Sequence, residues 1–580
     1  MLAPEARATK SPDWAQQSFH GTPLPRATVG SPGTSRPCLD GQVVNASTGA
    51  PVGAAQVVFA TKEGALLAQT KSDGRFSVNA SEGQVTLAEV SADGFFPFRP
   101  DWGHSPVELT LTPGACVSDL VLALLPRVRY RGQVLAPGGE GVGGAAVTIA
   151  EEHEAPLAPI TTAPDGSFDF FARTGAIVEA SHPAFTQAAA LVDFRVHLTK
   201  ELVVTLGAKT GDAGVERVRL HGIVVDSHDA GVPGALVQAR RSLTVEGNPT
   251  ERVEAIVQSD DEGRFELTAT GPPPWTMTAE LAGAMSASTT TMGEPVTLRL
   301  LDGATLIGRV TDTRGRAVSS FSVLSRQRLG ALRLGEESAR HFVDGQGRFL
   351  IHGLTPGPLQ VVVAAWGHAP SDPRDVVLVA GATQRLDVTL SSGAQVTGRV
   401  IDRDTRVPLP GARVSLEEQR EDALAVSPLA PSDDEGRFSL SGLSHGRRSL
   451  FVTAEGHHAR LSSIVIPEGD ATVGPLTIEL KAIAPGESPL VELVGVGAVL
   501  KVTDEGLRID RVLASGGAAE AGLVAGDTIL TIDGTPVERL GFESAIQSIR
   551  GAEDSFVRLS VRRADGSTLS LDVPRRQIRN

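Results

Sequence analysis

The chain has 580 residues, 41% of them apolar and 21% charged, with 63 Gly and 37 Pro. That is folded material with enough length for several hydrophobic cores and enough turn residues to suggest an all-β architecture. A net charge of -15 without a Lys/Arg cluster speaks against nucleic-acid or anionic-membrane partners, and 4% aromatics is thin for recognition of sugars or bases by stacking.

Residues 1–38 form a Pro/Gly/Ser-rich N-terminal segment without the basic start and apolar run of a signal peptide. No apolar run anywhere reaches the 18 or so residues needed to span a bilayer, so no transmembrane span is expected. The only two cysteines, Cys38 and Cys116, fall at the two ends of the first repeat described below. In an oxidising compartment they could form a disulfide; otherwise they are two buried thiols.

From residue 39 the chain repeats itself with a period near 90. Five segments read apolar or aromatic residue, any residue, Gly, any residue, Val: LDGQVV, YRGQVL, LHGIVV, LIGRVT and VTGRVI. Their glycines are Gly41, Gly132, Gly222, Gly308 and Gly398. A second block follows each start: PVGAAQV, GVGGAAV, GVPGALV, AVSSFSV and PLPGARV. Only the fourth copy, with Ser320 and Phe321, lacks the small pair at its centre. A third block places an Asp-Gly, Glu-Gly or Gln-Gly turn before a strand whose alternate residues are apolar. Its anchor pairs are Phe76 and Val78, Phe168 and Phe170, Phe265 and Leu267, Phe349 and Ile351, and Phe438 and Leu440.

Short strands punctuated by turns predict antiparallel β-sandwiches covering 39–126, 127–215, 216–302, 303–392 and 393–482. The combination of blocks resembles the carboxypeptidase regulatory-like repeat, a transthyretin-like and CnaB-like sandwich. The resemblance implies five tandem immunoglobulin-like or prealbumin-like sandwiches that hold, space or bind and do not cleave. Some relatives carry a Lys–Asn isopeptide crosslink, but residues 210–480 contain no lysine, so repeats three to five lack the means.

After the linker KAIAPGESP the pattern changes, and residues 483–580 hold the linker and a different domain. ELVGVGAVL, then AGLVAGDTILTIDG, then FESAIQSIRG resembles, in that order, a bacterial protease-type PDZ domain, a small α+β barrel. The resemblance implies that backbone N–H groups of Gly495, Val496, Gly497 and Ala498 receive a peptide carboxylate. The peptide would add a strand beside Val499 and Leu500, and its last side chain would enter a pocket near Ile546 and Ile549. The alternative for those two isoleucines is that they simply close the core of a small domain. No basic residue stands directly before the loop, and Glu492 is nearby.

A catalytic or metal centre is not expected. The histidines do not form H-E-x-x-H, EEHE at 151–154 cannot converge on one ion, and His457 and His458 read as exposed turn residues. GLSHG, with Ser444, and GEGVGG, from Gly139, match catalytic or cofactor spellings but lack the strand-turn-helix context those motifs need. Asp260, Asp261 and Glu262, or Asp433, Asp434 and Glu435, run too quickly into a strand for a calcium loop.

The reading is a non-enzymatic rod or chain of five sandwiches ending in a PDZ module, without cofactor. It would serve as an envelope or surface scaffold of adhesion type that binds protein C-termini or strand-like peptides. Family resemblance implies a bacterial periplasm, outer-membrane surface or extracellular location. Alternatives are a carbohydrate-binding surface protein, favoured if Trp102 and Trp366 are exposed, or a non-catalytic partner presenting substrates to an envelope protease.

Overall fold

The computed structural model describes residues 18–19, 22–23, 27–29, 38–45, 50–98, 107–112, 116–151, 158–173, 175–192, 196, 199–208, 217–245, 248–281, 284–286, 288–328, 334–365, 367–416, 432–469, 471–503 and 506–579. Among these the regular structure is almost all strand, with short helices only at Gly517–Glu520, Val537–Leu540 and Phe542–Ile549 among its named elements. Trp102, Trp366 and residues 152–154 of EEHE lie outside the described residues.

The first and third sequence blocks meet in space five times over. In every repeat the Gly-x-Val strand pairs antiparallel with the Phe strand, in one register: Gly41 opposite Phe76, Gly132 opposite Phe168, Gly222 opposite Phe265, Gly308 opposite Phe349 and Gly398 opposite Phe438. Each phenylalanine is at most 6% exposed. A Cβ built on Gly308 would stand 2.5 Å from the Phe349 ring and 1.9 Å from a backbone oxygen, so the glycine is the space into which the ring folds.

These sheets are not purely antiparallel as expected. The Gly-x-Val strand also pairs in parallel with the last strand of its repeat, for example Cys38–Asn45 with Cys116–Leu124 and Ala394–Asp402 with Thr472–Leu480. The chain leaves for the second layer after its first strand and returns alongside it in the same direction, a crossover that parallel pairing requires. Buried side chains gather into one main cluster per sandwich, centred on residues such as Leu39, Val134, Trp275, Phe349 and Val400.

Nor is the chain a simple rod. Val107–Leu111 of repeat one pairs in parallel with the end of Leu334–Val343 of repeat four, joining two sheets into one of eight strands. Repeats two and three meet through a buried quartet in which Arg241 contacts Glu179 (3.3 Å) and Glu254 (3.0 Å), and Arg252 pairs with the same two carboxylates. The exposed sheet edge of one sandwich is thus covered by another part of the same chain.

The C-terminal domain is an open path of strands rather than a closed barrel: Ala498–Thr503, Gly506–Val512, Thr528–Ile532, Phe556–Arg562 and Thr568–Pro574. Its flanking strands leave it for repeat five. Val491–Gly495 pairs in parallel with Ala459–Ile466, and Arg576–Arg579 adds beyond it, so the repeat-five sheet runs on into the last domain.

Candidate functional site

The segment Gly495–Ala498 turns between two sheets. Val491–Gly495 belongs to the repeat-five sheet, whereas Ala498–Thr503 is the edge strand of the C-terminal one. Between them the carbonyls of Val496 and Gly497 face inward, accepting from the N–H groups of Ala518 (2.6 Å) and Leu513 (2.8 Å). The N–H groups of Val496 and Gly497 have no acceptor among the described residues. Gly495, Val496 and Gly497 are themselves buried, so two adjacent backbone donors stand without an acceptor in a largely enclosed place. Gly497 has φ of 74°, and a Cβ there would lie 2.6 Å from the Gly516 Cα, so both conformation and space select glycine.

Ala498, Val499 and Leu500 are half-buried, and their strand pairs only with Gly506–Val512. Its outer edge therefore carries backbone groups without a strand partner among the described residues. On the Phe542–Ile549 helix the two isoleucines part company. Ile549 is 5% exposed and belongs to the core cluster with Val496, Leu507 and Ala545, whereas Ile546 is only half-buried and lies outside that cluster. The helix is held from two sides. The Arg575 guanidinium donates to the carbonyls of Ile549 (2.9 Å) and Ser548 (2.8 Å), satisfying the helix C-terminus. From repeat five, the Ser449 hydroxyl donates to Gln547 Oε1 at 2.7 Å in a buried contact.

Glu492 does not confront the loop. It is 2% exposed and paired with Arg403 of repeat five, with Nη1 to Oε1 at 3.3 Å, so its charge is neutralised in the junction. Arg550, at the helix end, brings its Cγ within 3.9 Å of where a Gly495 Cβ would stand, placing a basic residue against the loop from a part of the sequence remote from it. Sequence reading missed Arg403, Gln547, Arg550 and Arg575 because each acts on a residue 26 or more positions away.

The other motifs resolve into structure. Ser444 donates its hydroxyl to the Pro370 carbonyl (3.1 Å) in the turn between two strands. Asp260 and Asp433 each accept two backbone N–H groups of their own turns, Glu262 and Arg264 in one and Glu435 and Arg437 in the other. His457 and His458 are not exposed turn residues. His458 is 1% exposed and takes the Leu490 N–H on Nδ1 (3.3 Å), while His457 Nε2 lies 3.0 Å from Asp402, because the 481–490 linker folds back over them. Among the described residues no group of three or more His, Cys, Asp or Glu side chains could hold a metal ion. Trp275, the described tryptophan, is fully buried. Cys38 and Cys116 face each other across parallel strands, with Cα atoms 4.5 Å apart and sulfurs at bonding distance.

Residues 305–391 and 395–481 each match the carboxypeptidase regulatory-like domain, and residues 486–562 match the PDZ domain. The chain thus carries tandem carboxypeptidase regulatory-like sandwiches followed by a PDZ domain. Among curated proteins, none matches this sequence. Solved structures with similarity include a streptococcal ancillary pilin, 14% identical, covering 47% of this chain and 100% of its own with a TM-score of 0.19. The Bacillus anthracis TIE protein is 12% identical, covering 61% and 75%, with a TM-score of 0.15. BcpA, the major pilin subunit of Bacillus cereus, is 9% identical, covering 46% and 99%, with a TM-score of 0.14. At such scores no property of theirs is carried to this chain.

Proposed function

We propose that this chain is a non-enzymatic multidomain scaffold of the cell envelope or surface whose PDZ domain binds a protein C-terminus or an extended peptide. The observation that carries this reading is the unclaimed N–H pair of Val496 and Gly497 at the head of an edge strand. A terminal carboxylate satisfies the two donors, the peptide backbone adds to Ala498–Thr503, and Ile546 offers apolar surface to the last side chain. The pairing of Cys38 with Cys116 supports an oxidising, extracytoplasmic setting.

The test is fluorescence polarisation on the full chain with C-terminal peptides, each offered as the free acid and as the amide. Amidation should weaken binding at least about tenfold, since it removes a charge-assisted hydrogen-bond acceptor. Equal binding of the two forms would sink carboxylate capture.

A further inference from the structure

Four of the five repeats share a buried hydroxyl clamp. Thr70, Thr162, Ser259 and Ser432 each accept the N–H of the central alanine of the second block, Ala55, Ala145, Ala235 and Ala412, at 2.8–2.9 Å. Each also donates to a carbonyl three residues before that alanine, on Val52, Val142, Val232 or Leu409. Repeat four lacks both halves: Val343 stands six residues before its anchor Phe349, where the others have Thr or Ser, and Phe321 replaces the alanine.

The departures converge on one place. Val343 is 1% exposed and packs in the core cluster of repeat one, not that of repeat four. The strand it ends, Leu334–Val343, sets His341, Phe342 and Val343 opposite Val107, Glu108 and Leu109. Arg340 lies 3.7 Å from Glu108 with both side chains only 13% exposed. Ser320 accepts the Ala27 N–H (3.3 Å) and contacts His341 (3.2 Å), whose other ring nitrogen meets Ser322 (3.2 Å).

We infer that repeat four is specialised as the docking partner of repeat one, and that the chain closes on itself through this edge-to-edge strand pair. In the clamped repeats the hydroxyl side chain is turned onto its own repeat's alanine N–H and carbonyl, whereas the apolar Val343 makes neither bond and packs into the core of repeat one. The partner is the first repeat of the same chain. Repeats two and three connect the two surfaces and are themselves locked by the Glu179 quartet, which keeps the local concentration of each surface high for the other.

The experiment is small-angle scattering with hydrogen exchange on the full chain, comparing wild type with Val343→Asp, Arg340→Glu and the double variant Arg340→Glu/Glu108→Arg. Closure predicts a compact wild-type monomer. Each single variant should enlarge the maximum dimension and speed exchange at 107–111 and 341–343 at least about tenfold, with the Cys38–Asn45 strand still protected. The charge-swapped double variant should restore compactness. Unchanged dimensions and exchange in both single variants would overturn the inference, as would a compact form that appears only as a concentration-dependent dimer.

Discussion

The recurring turn positions a phenylalanine, and the glycine opposite it in the first strand of each repeat makes room for it. Phe349 touches both Phe321 and Phe342, with ring centroids 6.1 and 5.9 Å away, so repeat four has an aromatic centre where the other repeats have a small pair. Phe349→Ala should cost about 3–5 kcal/mol, read as a loss of unfolding free energy in urea; a loss below about 1 kcal/mol would refute the anchor role. Asp402 makes a second prediction. The backbone N–H and hydroxyl of Thr405, then His457 and the Asp404 N–H, hold its carboxyl down to about 2 from an ordinary 3.8. Because the folded form holds the proton more weakly than the unfolded one, its contribution to stability is full above about pH 4 and is lost as pH falls toward 2. Asp402→Asn should flatten the acid side of the stability profile in that window; an unaltered slope counts against it.

At the scale of the element, the Phe542–Ile549 helix commits Ile549 to the core and leaves Ile546 for the proposed peptide groove. Ile549→Ala removes buried core volume and should cost about 2–5 kcal/mol in urea unfolding, at any peptide concentration. Ile546→Ala should leave stability within about 1 kcal/mol and weaken a peptide ending in a large apolar residue by about 5- to 20-fold, the worth of one to two kcal/mol of apolar contact. If the two substitutions exchange these effects, the pocket has been placed on the wrong isoleucine. The same helix rests on repeat five through Gln547 and Ser449, so it is braced by the neighbouring sandwich as well as by its own domain.

Over the whole molecule, ion pairs sit where repeats meet. Glu179, Arg241, Arg252 and Glu254 are each no more than 7% exposed, and their charges cancel. Glu179→Gln leaves two buried guanidinium groups with one carboxylate between them, and should cost about 3–5 kcal/mol of stability, because removing one partner strands a buried charge. Hydrogen exchange should report the loss on both sides of the junction, in Ile177–Ser181 and in Leu236–Val245. A loss confined to repeat two would mean that the quartet does not couple the repeats. Arg403 and Glu492 form the corresponding pair between repeat five and the PDZ domain, beside a strand that both share.

Much of the fold was legible in local order. The five Gly-x-Val starts, the five turns and the alternating Phe strands are short-range patterns, and the structure sets them opposite one another in one register throughout. The PDZ domain was equally legible, since its segments follow one another in order within residues 486–562. The parallel closing strand of each repeat was not, because strand direction depends on which layer the chain has just left. Ile546 and Ile549 share one helical periodicity, and only packing separates them. His458 reads as a turn residue until a linker 23 or more residues away covers it. The sequence by itself determined the number and kind of modules, because each is specified by contacts within about 90 residues. Only the tertiary structure decided that repeat one lies against repeat four and that the PDZ domain shares a sheet with repeat five: Val343 and Phe321 set repeat four apart in the sequence, but the backbone groups that join distant edges carry no local pattern that names the partner.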